Sequence, residues 1–293
     1  MSKTRTSQNY VTLSAMYGAI DIGGTKTLVA VFDRKGKVIE QIKFPTPKIY
    51  SDFKSELATT VAKLSTKNFD SFCVAAPGRI DRVNGIGVRF GNLPWQSVPI
   101  LSDAMQSMGA PGVLENDAKA AGLSEARALD GNYRKVLYIT ISTGIGCGYI
   151  IDNKIDPDFE DIEVGHMLLE HNNKLVRWED FASGSAIYKR LGKKVSEIAE
   201  DDSEAWYSIA RNIAIGLIDV IASLNPDIVV LGGGVSSNLP KFKDRLDEQM
   251  KIYENPMLTI PPIVQAKRPE EAVIYGCYEI AKSHDSRPTT PKS

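Results

Sequence analysis

One structural device occurs twice in this chain, and it restricts the possible folds more than any other feature. In residues 17–32 apolar and polar side chains alternate, which predicts two strands joined by a glycine-rich turn at 23–26. Residues 136–151 repeat this around the segment 142–148, with the second strand expected from Tyr149. Because these glycines lie between two strands, the nucleotide loops that lead into a helix are excluded. The repeat predicts two related lobes, each presenting one turn to a shared cleft.

The remaining apolar patterns predict an α/β protein, because strands alternate with helices along the chain. Helices are expected at 51–66, 118–129, 203–224 and 270–282, and further strands at 38–44, 72–76 and 228–231. The predicted organisation is a disordered leader at 1–16, a small lobe at 17–117 plus about 275–282, a large lobe at 118–274, and a disordered tail at 283–293.

Charge and cysteine usage exclude several classes of protein. The 293 residues carry a formal net charge of −1, so no basic field attracts nucleic acid or an anionic membrane. The longest apolar runs are strand-sized, so no membrane span is expected. Cys73, Cys147 and Cys277 form no CxxC pair, which fits a reducing cytoplasm. The polar N-terminus lacks the apolar core of a secretory signal, and a cleaved transit peptide is the alternative to a disordered leader.

Three glycine-containing segments suit a nucleotide. Asp21 ends the first strand, where a carboxylate can hold Mg²⁺ through water, and the glycines that follow allow backbone N–H groups to approach a phosphate. Thr143 and Gly144 repeat this design with hydroxyls, and 232–234 is a run of three glycines that suits an adenine or a ribose. The alternatives are an ordinary hairpin and an ordinary strand-to-helix turn.

The carboxylates near these turns have two interpretations. Asp117 lies where a strand ends and a helix begins, so it is either an N-cap or a general base that takes a proton from a hydroxyl. Glu163 and His166 place an acid and an imidazole three residues apart. By residue type alone His166 could be a core residue, a metal ligand, a base or a sugar contact, and a structural role is favoured.

Eight segments, taken together and in order, resemble the ROK family of sugar kinases within the hexokinase/actin-like superfamily. They are DIGGTKT at 21–27, APG at 76–78, NLPW at 92–95, ENDAKAA at 115–121, ISTGIGCG at 141–148, EVGH at 163–166, WEDFASG at 178–184 and LGGGVS at 231–236. The resemblance implies a two-lobed actin-like ATPase fold (ribonuclease H-like) with the active site in the cleft between the lobes. Members of the family are often dimeric, which allows a homodimer here.

The resemblance also implies roles for individual residues. Asp117 matches the catalytic base, and Asp21 would hold Mg²⁺. The residues implied for the sugar are Gly78, Arg79, Asn92, Asn116, Asp117, Glu163, His166 and Glu179. Those implied for the phosphates of ATP are Gly23, Gly24, Thr25, Lys26, Thr143 and Gly144, and those for the adenosine are Gly232, Gly233 and Gly234.

Two departures from the family pattern matter. Many members bind zinc through the equivalent of His166 and three cysteines, but Glu170, Asn172 and Arg177 stand at those cysteine positions. We therefore expect no zinc site, and expect packing, through Trp178 for example, to hold this loop. The repressor branch carries an N-terminal helix-turn-helix, whereas only about 16 residues precede the first strand here.

The expected reaction is transfer of the γ-phosphoryl group from Mg·ATP to a free hexose, with glucose at its 6-hydroxyl as the first candidate. Three alternatives stay open: inorganic polyphosphate as the donor, another hexose as the acceptor (mannose, fructose or an N-acetylhexosamine), and a sugar sensor that has lost catalysis. The segment 79–95 is expected to decide whether an N-acetyl group fits.

Overall fold

The strands and helices follow the predicted alternation and add several short elements to it. The computed structural model describes residues 15–269 and 271–285. The strands are β1 (Met16–Ile22), β2 (Lys26–Asp33), β3 (Val38–Pro45), β4 (Ser71–Ala76), β5 (Arg79–Asp81), β6 (Ile86–Arg89), β7 (Gln96–Val98), β8 (Gly112–Asn116), β9 (Lys135–Ile141), β10 (Ile145–Ile151), β11 (Lys154–Ile155), β12 (Leu168–His171), β13 (Lys174–Arg177), β14 (Ile228–Gly232) and β15 (Ile263–Gln265). The helices are α1 (Tyr50–Lys63), α2 (Ile100–Met108), α3 (Asp117–Ala128), α4 (Glu179–Ala182), α5 (Gly184–Leu191), α6 (Ser203–Leu224), α7 (Gly233–Ser236), α8 (Leu239–Lys251) and α9 (Ala272–His284), and one turn of 3₁₀-helix covers Val164–His166.

Two five-stranded sheets share one design. The first has the order β3-β2-β1-β4-β8 and the second the order β11-β10-β9-β14-β15. In the first sheet the central strand β1 is antiparallel to β2 and parallel to β4, and β4 is parallel to β8. In the second sheet the central strand β9 is antiparallel to β10 and parallel to β14, and β14 is parallel to β15. Because parallel strands end at the same edge of a sheet, the turn after β1 lies beside the residues that follow β4 and β8. The predicted repeat is therefore present in the sheets themselves.

The second glycine segment differs from its prediction. We expected a strand from Tyr149, but β10 begins at Ile145, so Gly146 and Gly148 lie within the strand. A Cβ atom at Gly148 would lie 2.8 Å from the carbonyl oxygen of Ala118. These two glycines thus allow α3 to pack directly on β10, and only 142–144 form the turn.

Helices α3 and α9 lie between the two sheets. Ala120 of α3 packs with α9 against β1 and β4, while Ala121 and Leu123 pack on β9 and β10. The two helices are so close that a Cβ atom at Gly276 would lie 1.9 Å from the carbonyl oxygen of Ala120. Because α3 begins where β8 ends, this packing places its first residue, Asp117, between the two sheets.

The described chain ends differ slightly from the predicted ones. Met16, predicted in the leader, begins β1, and the last two residues of α9, predicted in the tail, are helical. Residues 1–14 and 286–293, the rest of the predicted leader and tail, lie outside the described residues. The predicted division into lobes stays a prediction.

Helix α6 resembles a membrane span by length and composition. Its 22 residues reach a mean hydropathy of 1.4 in an 18-residue window, and half of that window is buried inside the protein. Trp206, Ile209, Ile213 and Leu217 pack in the core beside the second sheet. Its apolar stripe is therefore used in packing against that sheet and α8.

Candidate functional site

Asp117 is the first residue of α3, but it is not the N-cap. Asn116 caps the helix, since its side-chain oxygen accepts hydrogen bonds from the backbone N–H groups of Ala118 at 2.9 Å and Lys119 at 3.2 Å. The half-buried Asp117 carboxylate accepts one further bond from the Ala118 N–H at 2.8 Å. Burial raises the pKa of Asp117, while the Ala118 N–H and the Lys119 charge oppose that rise. The capping interpretation is therefore wrong, and the carboxylate stays available for chemistry.

Asp21 is a second half-buried carboxylate, at the end of β1. Burial raises its pKa to about 7, the charge of Asp117 adds to the rise, and Lys43 opposes it. Among the described residues, no hydrogen bond or ion pair reaches this carboxylate. The Lys43 charge therefore does not offset the combined effect of burial and of the Asp117 charge on Asp21.

Lys119 lies two residues after Asp117 in α3 and is almost wholly buried, at 1% exposed. Its ammonium group donates to the carbonyl oxygen of Ile162 at 2.8 Å and to the Glu163 carboxylate at 3.3 Å. A buried ammonium needs such partners because its desolvation is costly. The contact ties α3 to the loop that carries Glu163 and His166.

A cavity of about 560 Å³ opens beside the start of α3. It brings together five of the residues predicted to hold the sugar: Gly78, Arg79, Asn116, Glu163 and His166. Gly78 has a φ of +85°, and a Cβ atom there would lie 2.3 Å from the carbonyl oxygen of Arg89, so only glycine fits this approach. The Asn116 side chain donates to the Gly78 carbonyl at 3.0 Å, which fixes this wall relative to α3.

An ion-pair network closes one side of this cavity. The Arg82 guanidinium donates to Glu115 at 2.6 Å and 3.0 Å, to Asp161 at 2.8 Å and to the carbonyl oxygen of Glu160 at 3.0 Å. Glu115 ends β8 and is 6% exposed, whereas Glu160 and Asp161 belong to the loop before Glu163. A bidentate buried pair of this kind fixes geometry well. Arg82 therefore joins the two halves of the chain across the cavity.

Two more cavities continue the first into one groove. A cavity of about 600 Å³ shares Gly91 and His166 with the first and contains Asn92, Gly144 and Glu179. A cavity of about 520 Å³ shares Thr143 and Ser185 with that one and reaches Gly234. Those residues predicted for the sugar, the phosphates and the adenosine that line these cavities therefore follow one another along the groove in that order.

The three consecutive glycines are not equivalent. Gly232 is buried, and a Cβ atom there would lie 2.3 Å from the hydroxyl of Tyr138, so this residue packs in the sheet rather than facing a ligand. Gly233 has a φ of +82° and packs against the carbonyl oxygen of Ile141. Only Gly234 lines the groove, with open space where a side chain would stand.

The first glycine turn lies beside the predicted sugar residue Asn92. A Cβ atom at Gly24 would lie 2.7 Å from that of Asn92, and the Lys48 ammonium donates to the carbonyl oxygens of Gly24 at 2.8 Å and Asn92 at 3.2 Å. Gly23 closes the turn by donating its N–H to the carbonyl oxygen of Lys26 at 3.0 Å. None of Gly23, Gly24, Thr25 and Lys26 lines the three cavities described above.

An ion pair occupies one of the three positions at which the resemblance implied a cysteine. Arg177 stands at a cysteine position and contacts Glu179 at 2.9 Å and Asp180 at 2.7 Å. His166 is 58% exposed and lies 3.6 Å from Glu179, so it is not a core residue. Trp178 is fully buried and donates to the carbonyl oxygen of Asn212 at 3.1 Å, as expected of the residue that anchors this segment. In the part of the chain that the structure describes, no three His, Cys, Asp or Glu side chains form a metal cluster.

Several groove residues were not predicted. The first cavity also contains Arg82, Arg89, Lys119, Glu160 and Asp161, and the last contains Ser185, Tyr188, Lys194 and Ser196. Lys119 could have been found, because it lies inside the segment 115–121 that carries Asp117. The others come from short strands and loops whose positions depend on long-range packing.

Mg²⁺ and a nucleotide suit these residues. The carboxylates of Asp21 and Asp117 would supply negative charge to Mg²⁺, which prefers few carboxylates and retained waters. The exposed Thr143 hydroxyl and the open space at Gly234 leave room for phosphates and a nucleoside in the groove. Asp21 would hold the ion through water, and Thr143, Gly144 and Gly234 would face the nucleotide.

Comparison with known proteins adds an independent finding. The sequence model of the ROK family matches residues 17–284. A putative fructokinase of Bacillus subtilis is 30% identical over 244 residues, which cover 78% of this chain and 80% of that protein. A ROK family glucokinase from Streptomyces griseus, solved with glucose and AMPPNP, superposes with a TM-score of 0.79 at 24% identity, covering 92% of this chain and all of that one. An inorganic polyphosphate/ATP-glucomannokinase from Arthrobacter sp. strain KM has a TM-score of 0.68 at 29% identity, covering 92% of this chain and all of that one.

Proposed function

Because the chain belongs to the ROK family of sugar kinases, we propose that it transfers the γ-phosphoryl group of Mg·ATP to a free hexose, with the 6-hydroxyl of glucose as the first candidate acceptor. Membership of the family and the actin-like ATPase fold confirm two predictions made from the sequence. The identity of the hexose, the metal and the roles of single residues belong to the proposal, as do a cytoplasmic location and a homodimer.

The observation that carries the proposal is the environment of Asp117. Its carboxylate begins α3 between the two sheets, and Asn116 caps the helix in its place. Asn116, one residue before it, and Lys119, two residues after it, both line the first cavity. A carboxylate held in this way, with a raised pKa, suits proton abstraction from an alcohol better than an exposed one would.

The reaction assigns a separate task to each group. The sugar hydroxyl gives its proton to Asp117 while its oxygen bonds to the γ-phosphorus, and the bond from that phosphorus to the β,γ-bridging oxygen breaks to release ADP. Glu163, His166 and Glu179 would accept hydrogen bonds from, or donate them to, the other hydroxyls, so that one hydroxyl points at the donor. Mg²⁺ held by Asp21 would neutralise charge on the phosphates.

A sugar panel tests this proposal. Purified protein is assayed by coupled ADP release with glucose, mannose, fructose, N-acetylglucosamine and N-acetylmannosamine, each with Mg·ATP. We expect turnover with at least one free hexose and a Mg²⁺ requirement. Binding of sugars without any phosphoryl transfer would instead support the sugar sensor.

Inorganic polyphosphate is a second candidate donor. It is favoured by one observation, the 29% identity to a protein named as a polyphosphate/ATP-glucomannokinase. Against it, Arg177 in the middle of the groove is already paired with Glu179 and Asp180, so it offers little free charge to a polyanion. Repeating the panel with polyphosphate in place of ATP decides between the donors.

A further inference from the structure

The charges that line the first cavity do not balance. Its cations are Arg79, Arg82, Arg89 and Lys119, and its anions are Glu160, Asp161 and Glu163. Arg82 pairs with Glu160 and Asp161, and with Glu115 behind them, while Lys119 pairs with Glu163. Every anion is thus already in contact with Arg82 or Lys119. Arg79 and Arg89 are the cations that remain.

Arg79 and Arg89 are backbone partners at one end of the antiparallel pair of β5 and β6, next to a register shift between Arg79 and Ile80. Both residues line the first cavity, so their side chains belong to the same wall of it. Both residues are exposed, and no ion pair from residues 15–269 or 271–285 reaches either guanidinium. Like charges in this arrangement repel each other, so the pair is destabilising unless an anion lies between them.

The pair is also close to the proposed reacting centre. Arg79 follows Gly78, whose carbonyl oxygen is held by the Asn116 side chain at 3.0 Å, and Asn116 precedes Asp117. Arg89 supplies the carbonyl oxygen against which Gly78 packs. Two planar guanidinium groups on one wall are well suited to bind a carboxylate or a phosphate through paired N–H donors.

We infer that Arg79 and Arg89 form an anion subsite in the first cavity. The preferred acceptor is then a hexose derivative that keeps its 6-hydroxyl and carries a carboxylate or a phosphate elsewhere on the molecule. The inference rests on the proposed function, since it specifies which acceptor that reaction uses. It predicts that an acidic sugar is bound more tightly, and phosphorylated more efficiently, than the neutral hexose of the same configuration.

Two measurements test the subsite separately from the reaction. Gluconate carries a carboxylate and glucose 1-phosphate a phosphate, and both keep the 6-hydroxyl, so these two probes distinguish the sources of the anion. Binding of each, and of glucose, is measured by calorimetry without a donor, and kcat/KM is measured with Mg·ATP. The variants are Arg79→Gln, Arg89→Gln and the double variant, and the matched control is Arg211→Gln, an exposed arginine on α6.

The expected result is that at least one acidic sugar binds about tenfold or more tightly than glucose. The double variant should lower the ratio of acidic to neutral kcat/KM by at least about tenfold, while Arg211→Gln leaves that ratio unchanged. Equal ratios in the wild type and the double variant would overturn the inference and leave the sugar kinase proposal standing. Binding of acidic sugars without phosphorylation of any sugar would support the subsite and reject the proposed reaction. If polyphosphate is bound through these arginines and neither acidic sugar is, the acceptor assignment is wrong.

Discussion

The two five-stranded sheets are alike in strand order and direction, but they place different chemistry at the same edge. In β1 the residue before the last is Asp21, and in β9, a strand of the same length, it is Thr140. After the outer parallel strand of the first sheet comes Asp117, and after that of the second comes the buried Ala266. One half therefore carries acids where the other carries a hydroxyl and an apolar side chain.

The scaffold alone therefore does not determine the chemistry of the groove. A turn between two antiparallel strands offers backbone N–H groups in either half. At these strand ends the first half adds acidic groups, and the charge of Asp117 raises the cost of ionising Asp21, which favours a nearby cation. The second half leaves open space at Gly234, which suits a flat, largely uncharged group.

Removing the Asp117 carboxylate at the start of α3 should reduce turnover more than any other change in the first half. We expect Asp117→Ala to lower kcat by about 10³-fold or more, because the proposed proton acceptor is lost. Sugar affinity, measured by calorimetry, should change only a few-fold. Asp219→Ala, which removes an exposed carboxylate on α6, is the matched control. Near-normal turnover of Asp117→Ala would contradict the proposed base.

Substitutions at the equivalent strand-end residues Asp21 and Thr140 should have the next largest effect on turnover. We expect Asp21→Asn to lower kcat by about 10²-fold and to raise the Mg²⁺ concentration needed for half-maximal rate, because the ion loses its carboxylate. Thr140→Val, which removes the hydroxyl at the matching position of β9, should lower kcat by less than about tenfold, because at most a neutral hydrogen bond is lost. Titrations of MgCl₂ at fixed ATP measure both. Equal losses in the two variants would mean that the acidic half has no special role.

Much of this comparison could be predicted from the sequence. The alternation of apolar and polar residues in 17–32 and 136–151 is a local signal, so it predicts the repeated strand–turn–strand unit from the sequence alone. Asp117 could be found because it lies inside a recognisable segment. The fold of the lobes and the family followed from the order of eight such segments.

Other parts depend on contacts between distant residues. Gly146 and Gly148 were placed in a turn, although they belong to β10, because close approach by α3 is invisible to local reasoning. The burial of Gly232 depends on the position of Tyr138, a strand away. The Arg82–Glu115 pair joins residues 33 positions apart through a short β-ribbon that has little periodicity of its own.

Two glycines lie at corresponding places in the two sheets, and replacing them tests how well each sheet edge tolerates a side chain. Gly78 follows β4 and Gly233 follows β14, both have positive φ, and a Cβ atom would lie 2.3 Å and 2.5 Å from a carbonyl oxygen respectively. We expect Gly78→Ala and Gly233→Ala each to cost about 2 kcal/mol, seen as a Tm several degrees lower. Gly234→Ala, where the space is open, should change stability by less than about 0.5 kcal/mol.

The pH dependence of stability tests the smallest difference between the halves. Because the folded-state pKa of Asp21 is raised from 3.8 to about 7, the folded protein holds a proton that the unfolded chain has released between those values. Its contribution therefore lowers the free energy of unfolding as pH rises from about 4 to 7 and changes little above that. Asp21→Asn removes this term, so its Tm in metal-free buffer should exceed that of the wild type at pH 8 by more than at pH 5. We expect a difference of about 1–2 kcal/mol, less than the full shift would give, because the carboxylate is only half-buried. Asp219→Asn is the matched control, and an equal Tm profile for both variants would show that Asp21 is not held in a destabilising site.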